Sequence, residues 1–291
     1  MAGTENHFYA LAISHCTGKP IKVFGARPVS GGCINNAVVV DTDQGQFFLK
    51  WHSAIPADMF EKEAMGLQLL AEPNIIKIPG VRGYGHIDGR HFLVLECIRS
   101  VRQANRFWEN FGIALADLHR NSSKYFGLDH DNYIGKLPQA NTPTDNWIDF
   151  FIRYRLEAQL LLAIENSLVT ADFIKSYRNF YNRLPQLLPA EKPSLLHGDL
   201  WSGNVMVGAD GQVCLIDPAV YYGHREIELA FTTMFGGFDD EFYSAYEQRW
   251  PLEPGWRQRF DIYNIYPSMV HANLFGTSYL SGVRVVLRKY Q

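Results

Sequence analysis

No stretch of this sequence stays apolar for long. Its most hydrophobic windows, such as Leu160 to Ile164, are broken within a few residues by Gln, Glu or Asn, far short of the roughly 20 apolar residues of a membrane-spanning helix. Basic excess is missing too: 27 Lys and Arg stand against 30 Asp and Glu, a formal charge of −3. Nothing suits such a chain to neutralising a phosphate backbone, so neither nucleic acid nor membrane is an expected partner. Cysteine is scarce. Cys16, Cys33, Cys97 and Cys214 stand 17, 64 and 117 residues apart, which fits neither paired metal knuckles nor a dense disulfide frame, and reduced thiols are expected. The first ten residues carry no basic segment followed by an apolar one, so no secretory signal is read and a cytoplasmic location is expected. The sequon Asn121-Ser122-Ser123 is then accidental. No internal repeat is visible. What is present is an ordinary globular composition, 47% apolar and 20% charged, which excludes disorder. A length of 291 residues allows one large or two modest domains.

The patterning changes along the chain. Ala37 to Val40 and Phe47 to Lys50 flank Asp43-Gln44-Gly45 and read as a β-hairpin with a glycine-containing turn. A helix over Ala57 to Ala71 and a β-rich run over His91 to Leu95 follow. Beyond Cys97 the period becomes helical: Phe107, Phe111, Ala114, Leu115 and Leu118 share one face, and a second amphipathic stretch runs from about Trp147 to Ile164. The expectation is an α+β protein of two lobes, a smaller β-rich one over residues 1–97 and a larger, mainly helical one over 98–291.

The strongest local signal is Leu195-Leu196-His197-Gly198-Asp199-Leu200-Trp201-Ser202-Gly203-Asn204, followed by Val205 to Val207, a Gly-Ala-Asp-Gly turn and Val213 to Asp217. The two short apolar runs make a hairpin. If Val207 faces Cys214 and Val205 faces Ile216, Asn204 and Asp217 meet at its open end, because opposed numbers in an antiparallel pair sum to a constant. Asp199 lies on the loop entering that end. Two carboxylates and an amide oxygen suit a hard cation such as Mg2+ with phosphate ligands. One acid to orient an attacking hydroxyl, with an Asn and a second acid for metal, is the inventory of phosphoryl transfer.

His-Gly-Asp-Leu-x-x-x-Asn followed by Ile-Asp-Pro resembles the aminoglycoside phosphotransferase and choline kinase branch of the protein-kinase-like superfamily. The fuller string His197 to Asn204 with Asp217 to Glu226 is similar to the fructosamine kinase (ketosamine 3-kinase) family in particular, as are Phe126 to Gly135, Gln139 with Asn141, and Met59 to Glu63. The resemblance implies a two-lobed protein-kinase-like fold. It also implies ATP-dependent phosphorylation of the 3-hydroxyl of a ketose joined through its first carbon to an amine, and thereby protein deglycation.

On that reading Asp199 is the catalytic residue that orients the acceptor hydroxyl and finally accepts its proton, Asn204 and Asp217 hold Mg2+, and Lys50 grips the ATP phosphates. Glu63 shares a helix face with Phe60, Ala64 and Leu67, where an unpaired carboxylate is costly, so it is expected to pair with Lys50. Gly31 and Gly32, in the loop before the hairpin, are placed over the phosphates, although Ser30 to Asn36 is not a GxGxxG sequence. Gly18-Lys19 fails as a Walker motif because Pro20 follows. Glu96, Cys97 and Ile98 are assigned to the adenine on the resemblance alone. Cys33 is either a redox-sensitive thiol, as the resemblance implies, or an inert side chain. Trp201 is expected to wall the acceptor, with His224 and Glu226 as sugar or amine contacts, Glu228 as a helix-positioning acid and His197 as a loop-fixing side chain. The partner is a small-molecule or protein-bound ketosamine; monomer and homodimer stay open. The rival readings are an aminoglycoside or choline phosphotransferase, against which Trp201 and Tyr221 to Glu226 argue. A binding-only pseudokinase is disfavoured by the presence of Lys50, Glu63, Asp199, Asn204 and Asp217.

Overall fold

The computed structural model describes residues 2–29 and 35–290. By their contacts they form two compact units, 1–111 with 203–219, and 112–202 with 220–291. The division falls within the helix Phe107–His119, and the hairpin after Asn204 belongs with the first unit.

The first unit is built on an antiparallel sheet of order β1-β2-β3-β5-β4, formed by β1 (Val23–Pro28), β2 (Asn36–Thr42), β3 (Gly45–His52), β4 (Val81–Ile87) and β5 (Arg90–Glu96). The β2–β3 hairpin pairs Val38 with Leu49 and Thr42 with Gly45, leaving Asp43 and Gln44 as the turn. Helix α1 (Ala2–Thr17) lays Phe8, Tyr9, Ala12 and Ile13 against Val38, Val40, Leu49, Phe92 and Val94. It approaches β4 closely. A Cβ at Gly83, whose φ is +154°, would stand 2.8 Å from the Cys16 sulfur, so glycine there serves close packing. That same glycine content hides the strand, because Val81-Arg-Gly-Tyr-Gly-His-Ile87 carries little β propensity. Helix α2 (Met59–Ala71) buries Phe60, Ala64, Leu67 and Leu70.

The short hairpin differs from the expected register. Val207 pairs with Val213, Met206 with Cys214 and Val205 with Leu215, one residue away from the pairing read from the sequence. The reason is an odd-numbered loop: Gly208 N–H donates to Gln212 O at 2.7 Å and Gly211 takes a φ of +79°, which puts Asp210 at the apex. A slip of one residue exchanges the two faces of the strand. Asn204 now opposes Ile216, whose N–H it accepts at 3.1 Å.

The second unit is helical apart from two short strand pairs. One joins Ser194–Leu196 to Tyr221–Gly223; the other joins Asn132–Ile134 to Leu137–Gln139. The expected helix after Trp147 is present, but its middle, Phe151–Glu157, is π-helical between the α-helices Trp147–Phe150 and Ala158–Glu165. That segment carries Arg155, wholly buried, 3.9 Å from the centre of the Tyr221 ring and bonded to Asn141 Oδ1 at 2.7 Å. Every residue of the helix Arg225–Phe231 is buried. The helices Ala171–Tyr181, Leu184–Leu187, Asp240–Arg249, Trp256–Tyr263, Ile265–Phe275 and Leu280–Lys289 also belong to the unit.

Candidate active site

Lys50 lies in β3 on the side of the strand opposite Leu49, and α2 brings Glu63 to it. Lys50 Nζ donates to Glu63 Oε1 at 2.8 Å and to Asp217 Oδ1 at 2.5 Å. Burial alone would pull the ammonium down; Asp217 and Glu63 outweigh it and hold Lys50 above the ordinary lysine range. Burial pushes the Glu63 carboxyl up, Lys50 works against that, and repulsion from Asp217 adds to it. The net direction is upward, and Lys50 is the group that favours the ionised form of this acid. Asp217 is the exposed member, with 38% of its side chain open. Its backbone takes a φ of +56°, uncommon for a side-chain-bearing residue and of the kind that clusters at functional sites. Asn204, itself buried, donates its amide to the Asp217 carbonyl at 3.5 Å. Lys50, Glu63, Asn204 and Asp217 are thus brought together in the first unit.

In the second unit the strand Ser194–Leu196 delivers the chain into His197-Gly198-Asp199, where Gly198 takes a φ of +83° that favours glycine. The loop is held from beneath by Glu228. Its Oε2 accepts the His197 N–H at 3.0 Å, its Oε1 accepts the Gly198 N–H at 2.7 Å, and His119 Nε2 lies 2.9 Å from Oε2. His119 Nδ1 in turn meets the Tyr246 hydroxyl at 2.8 Å. Burial would raise the Glu228 carboxyl, but His119, the charge of His197 and the Gly198 bond more than offset it and hold it below its usual range. Asp199 N–H donates to His197 Nδ1 at 3.3 Å, so His197 fixes the loop from within. Asp199 itself is half-buried.

These two sets, each with its backbone turn, are matched by one family description. The fructosamine kinase model covers residues 7–291. The chain belongs to the fructosamine kinase family. It is 38% identical over 283 residues to the probable ketoamine kinase of Synechocystis, covering 96% of this chain and 95% of that one. It is also 38% identical to the chloroplastic protein-ribulosamine 3-kinase of Oryza sativa subsp. indica, covering 94% and 80%. Among solved structures, the candidate fructosamine-3-kinase of Haemophilus somnus superposes with a TM-score of 0.86 at 28% identity, over 99% and 98% of the two chains. An aminoglycoside phosphotransferase superposes with a TM-score of 0.63 at 14% identity over the whole of both. The last shows fold alone: the protein-kinase-like fold expected from the sequence.

For this fructosamine kinase family member, two expected acceptor contacts need correction. His224 and Glu226 are fully buried. His224 caps its helix, accepting the Glu226 N–H at 3.2 Å, and burial first, then Arg225 and Arg259 against Glu191, leaves its imidazole lowered to about 4. Glu226 accepts two bonds from Arg259, at 2.7 and 2.5 Å. Both side chains turn inward because tertiary partners claim them, so neither reaches an acceptor in this structure. Nor do the buried Tyr221 and Gly223 argue for or against one. Trp201 stays half-buried and sets its ring against Phe235, centroids 5.6 Å apart at 71°.

The side chain of Glu96 is taken by Lys77 at 2.7 Å and by the Gly80 N–H at 3.0 Å, and its own N–H donates to the Gly80 carbonyl at 2.8 Å, so of the residues expected at the adenine Cys97 and Ile98 are the ones not engaged in this way. Gly31, Gly32 and Cys33 lie outside the described residues. Cys16, Cys97 and Cys214 are free thiols, and no helix among the described residues is long and apolar enough to cross a membrane. Sequence reasoning assigned Glu228 to its helix and missed that it holds the Asp199 loop. Its place four residues after His224 in a run of otherwise apolar neighbours, Ile227 and Leu229 to Phe231, was the available signal.

Proposed function

We propose that this chain is an ATP-dependent ketosamine kinase, transferring the terminal phosphoryl group of ATP to the 3-hydroxyl of a sugar attached through its first carbon to an amine. The observation that carries the reading is the Lys50 ammonium, buried yet charged between Glu63 and Asp217. A desolvated cation fixed by two acids is the group that positions and neutralises a polyphosphate. In the reaction Lys50 binds the phosphates and Glu63 holds Lys50 in place. Asp199 accepts a hydrogen bond from the acceptor hydroxyl, aligns it for attack and takes its proton as the O–P bond forms. Glu228 keeps that loop in register.

Among the described residues no three His, Cys, Asp or Glu side chains are grouped to hold a metal. The donors at the hairpin end are one partly exposed carboxylate, Asp217, and one amide, Asn204. This all-oxygen set fits Mg2+, which keeps water and phosphate as its remaining ligands. Bound there, Mg2+ would supply charge neutralisation on the phosphates. The acceptor class follows the relatives named above, whose names specify ketoamines and protein-bound ribulosamine. Phosphorylation of such adducts would serve deglycation, in the cytoplasm on the sequence reading.

The test is an ATP-turnover assay with a ribulosamine, a fructosamine and an aminoglycoside as alternative acceptors, alongside Asp199→Asn. Ketosamine-dependent ADP release that Asp199→Asn abolishes, with ATP affinity kept, is the expected result. Turnover with the aminoglycoside alone, or an active Asp199→Asn enzyme, overturns the assignment.

A further inference from the structure

The second unit displays a continuous row of aromatic rings that the reaction above does not use. It begins at Trp201, two residues after Asp199, and passes to Phe235 at 5.6 Å and on to His271 at 4.8 Å between ring centres. His271 then meets Tyr279 at 5.2 Å and Phe275 at 5.6 Å. Phe235 and Phe275 are 42% and 52% exposed, high for side chains whose burial is normally favourable. Phe235 is also held at a φ of +56° and followed by Gly236 and Gly237 at +104° and +72°. The left-handed region is unfavourable for a bulky residue, and here that conformation sets the ring on the surface between Trp201 and His271.

The row runs outward from the acceptor aspartate. Tyr266 opens the helix Ile265–Phe275, close enough to Asp199 to feel its charge. Pro267, His271 and Phe275 follow at intervals of four and so share a face. At 1.5 Å per residue, Phe275 lies roughly 13 Å along the axis from Tyr266. His271 Nδ1 donates to the Pro267 carbonyl at 2.7 Å, which fixes the ring, and Phe235, Phe275 and Tyr279 pack around it in tilted contacts. No member of the row is a carboxylate, a lysine or an arginine, and burial lowers the His271 imidazole, which disfavours its charged form. The occupant is therefore a group with apolar or aromatic faces, and it is longer than the sugar alone.

We propose that Trp201, Phe235, His271, Phe275 and Tyr279 form a subsite for the substituent on the acceptor's nitrogen, selecting ketosamines whose amine carries an apolar or aromatic group. The inference rests on the ketosamine reading. If the 3-hydroxyl is at Asp199, the portion of the acceptor that extends past the sugar is its amine, and the row is the surface that continues from that loop.

Two adducts of one ketose, made with glycine and with phenylalanine, differ only by a benzyl group and serve as probes with the full-length chain. The phenylalanine adduct is expected to have the lower KM, by about three- to tenfold for one aromatic contact. Phe235→Asn keeps a residue that tolerates positive φ and removes the ring; Phe275→Ser removes the outer one. Each should bring the KM ratio of the two adducts towards one with the melting temperature unchanged, and Phe275→Tyr should restore it. Equal KM values in the wild type, or an unchanged ratio in both variants, overturn the subsite. A wild-type dimer that Phe275→Ser dissociates also overturns it, since a second copy then covers the row. If neither adduct is phosphorylated, it is the ketosamine reading that falls.

Discussion

The Glu228 carboxylate accepts the N–H of Gly198 at 2.7 Å, thirty residues back along the chain, and the N–H of His197 at 3.0 Å. One buried acid thus fixes both peptide groups that precede Asp199. A carboxylate accepts on both oxygens, whereas a glutamine must present its NH2 to one of these donors. Glu228→Gln is therefore expected to lower kcat while leaving the KM for ATP unchanged. It should also cost about 1–3 kcal/mol in unfolding free energy for the donor left unsatisfied. Steady-state kinetics and a urea titration read the two effects; a normal kcat with reduced stability would confine Glu228 to a structural role.

Lys50 and Glu63 act as one unit in the proposed chemistry. Lys50→Met should abolish most activity and Glu63→Gln should remove less, because the glutamate works through the lysine. The double variant is expected to be scarcely worse than Lys50→Met, a coupling of roughly 0.5–3 kcal/mol in a double-mutant cycle on kcat/KM. Fully additive losses would separate the two side chains functionally.

Asp217 makes a different demand. It is partly exposed and only 2.5 Å from Lys50, so Asp217→Ala removes the proposed Mg2+ ligand while Lys50 keeps Glu63. Calorimetric titration should show the Kd for Mg2+-ATP rising by about tenfold, equivalent to about 1.4 kcal/mol, with little change in melting temperature. Unchanged Mg2+-ATP affinity would count against the metal assignment.

His224 carries a pH signature of folding. Burial lowers its imidazole to about 4 from an ordinary value of 6.5, so between those values the unfolded chain binds a proton that the folded chain does not. Stability from this group is whole above pH 6.5 and is lost as pH falls towards 4, a change of ~3 kcal/mol. His224→Asn keeps a helix-capping oxygen and removes the titration. Denaturant unfolding at several pH values should show a flatter slope in the variant over that window. An equal slope would assign the acid sensitivity elsewhere.

What the sequence determined by itself is whatever depends on short-range pattern. Alternation placed Lys50 in the second hairpin strand, the three- and four-residue stripe of α2 aimed Glu63 inward, and two apolar runs around a glycine turn put Asn204 and Asp217 at one hairpin end. The motif around Asp199 named the family. Tertiary structure decided the rest. The odd loop at Asp210 shifted the hairpin register by one residue, and close packing under α1 required the glycines that disguised β4. Glu226 and His224 looked available beside Asp217 in the sequence, yet Arg259 and the buried helix Arg225–Phe231 claimed them. Glu228 gained its task from backbone groups thirty residues away. A buried charge takes whatever partner the fold brings to it, since leaving it unpaired away from water costs several kcal/mol. That partner is set by the packing of distant segments, on which local pattern carries no information.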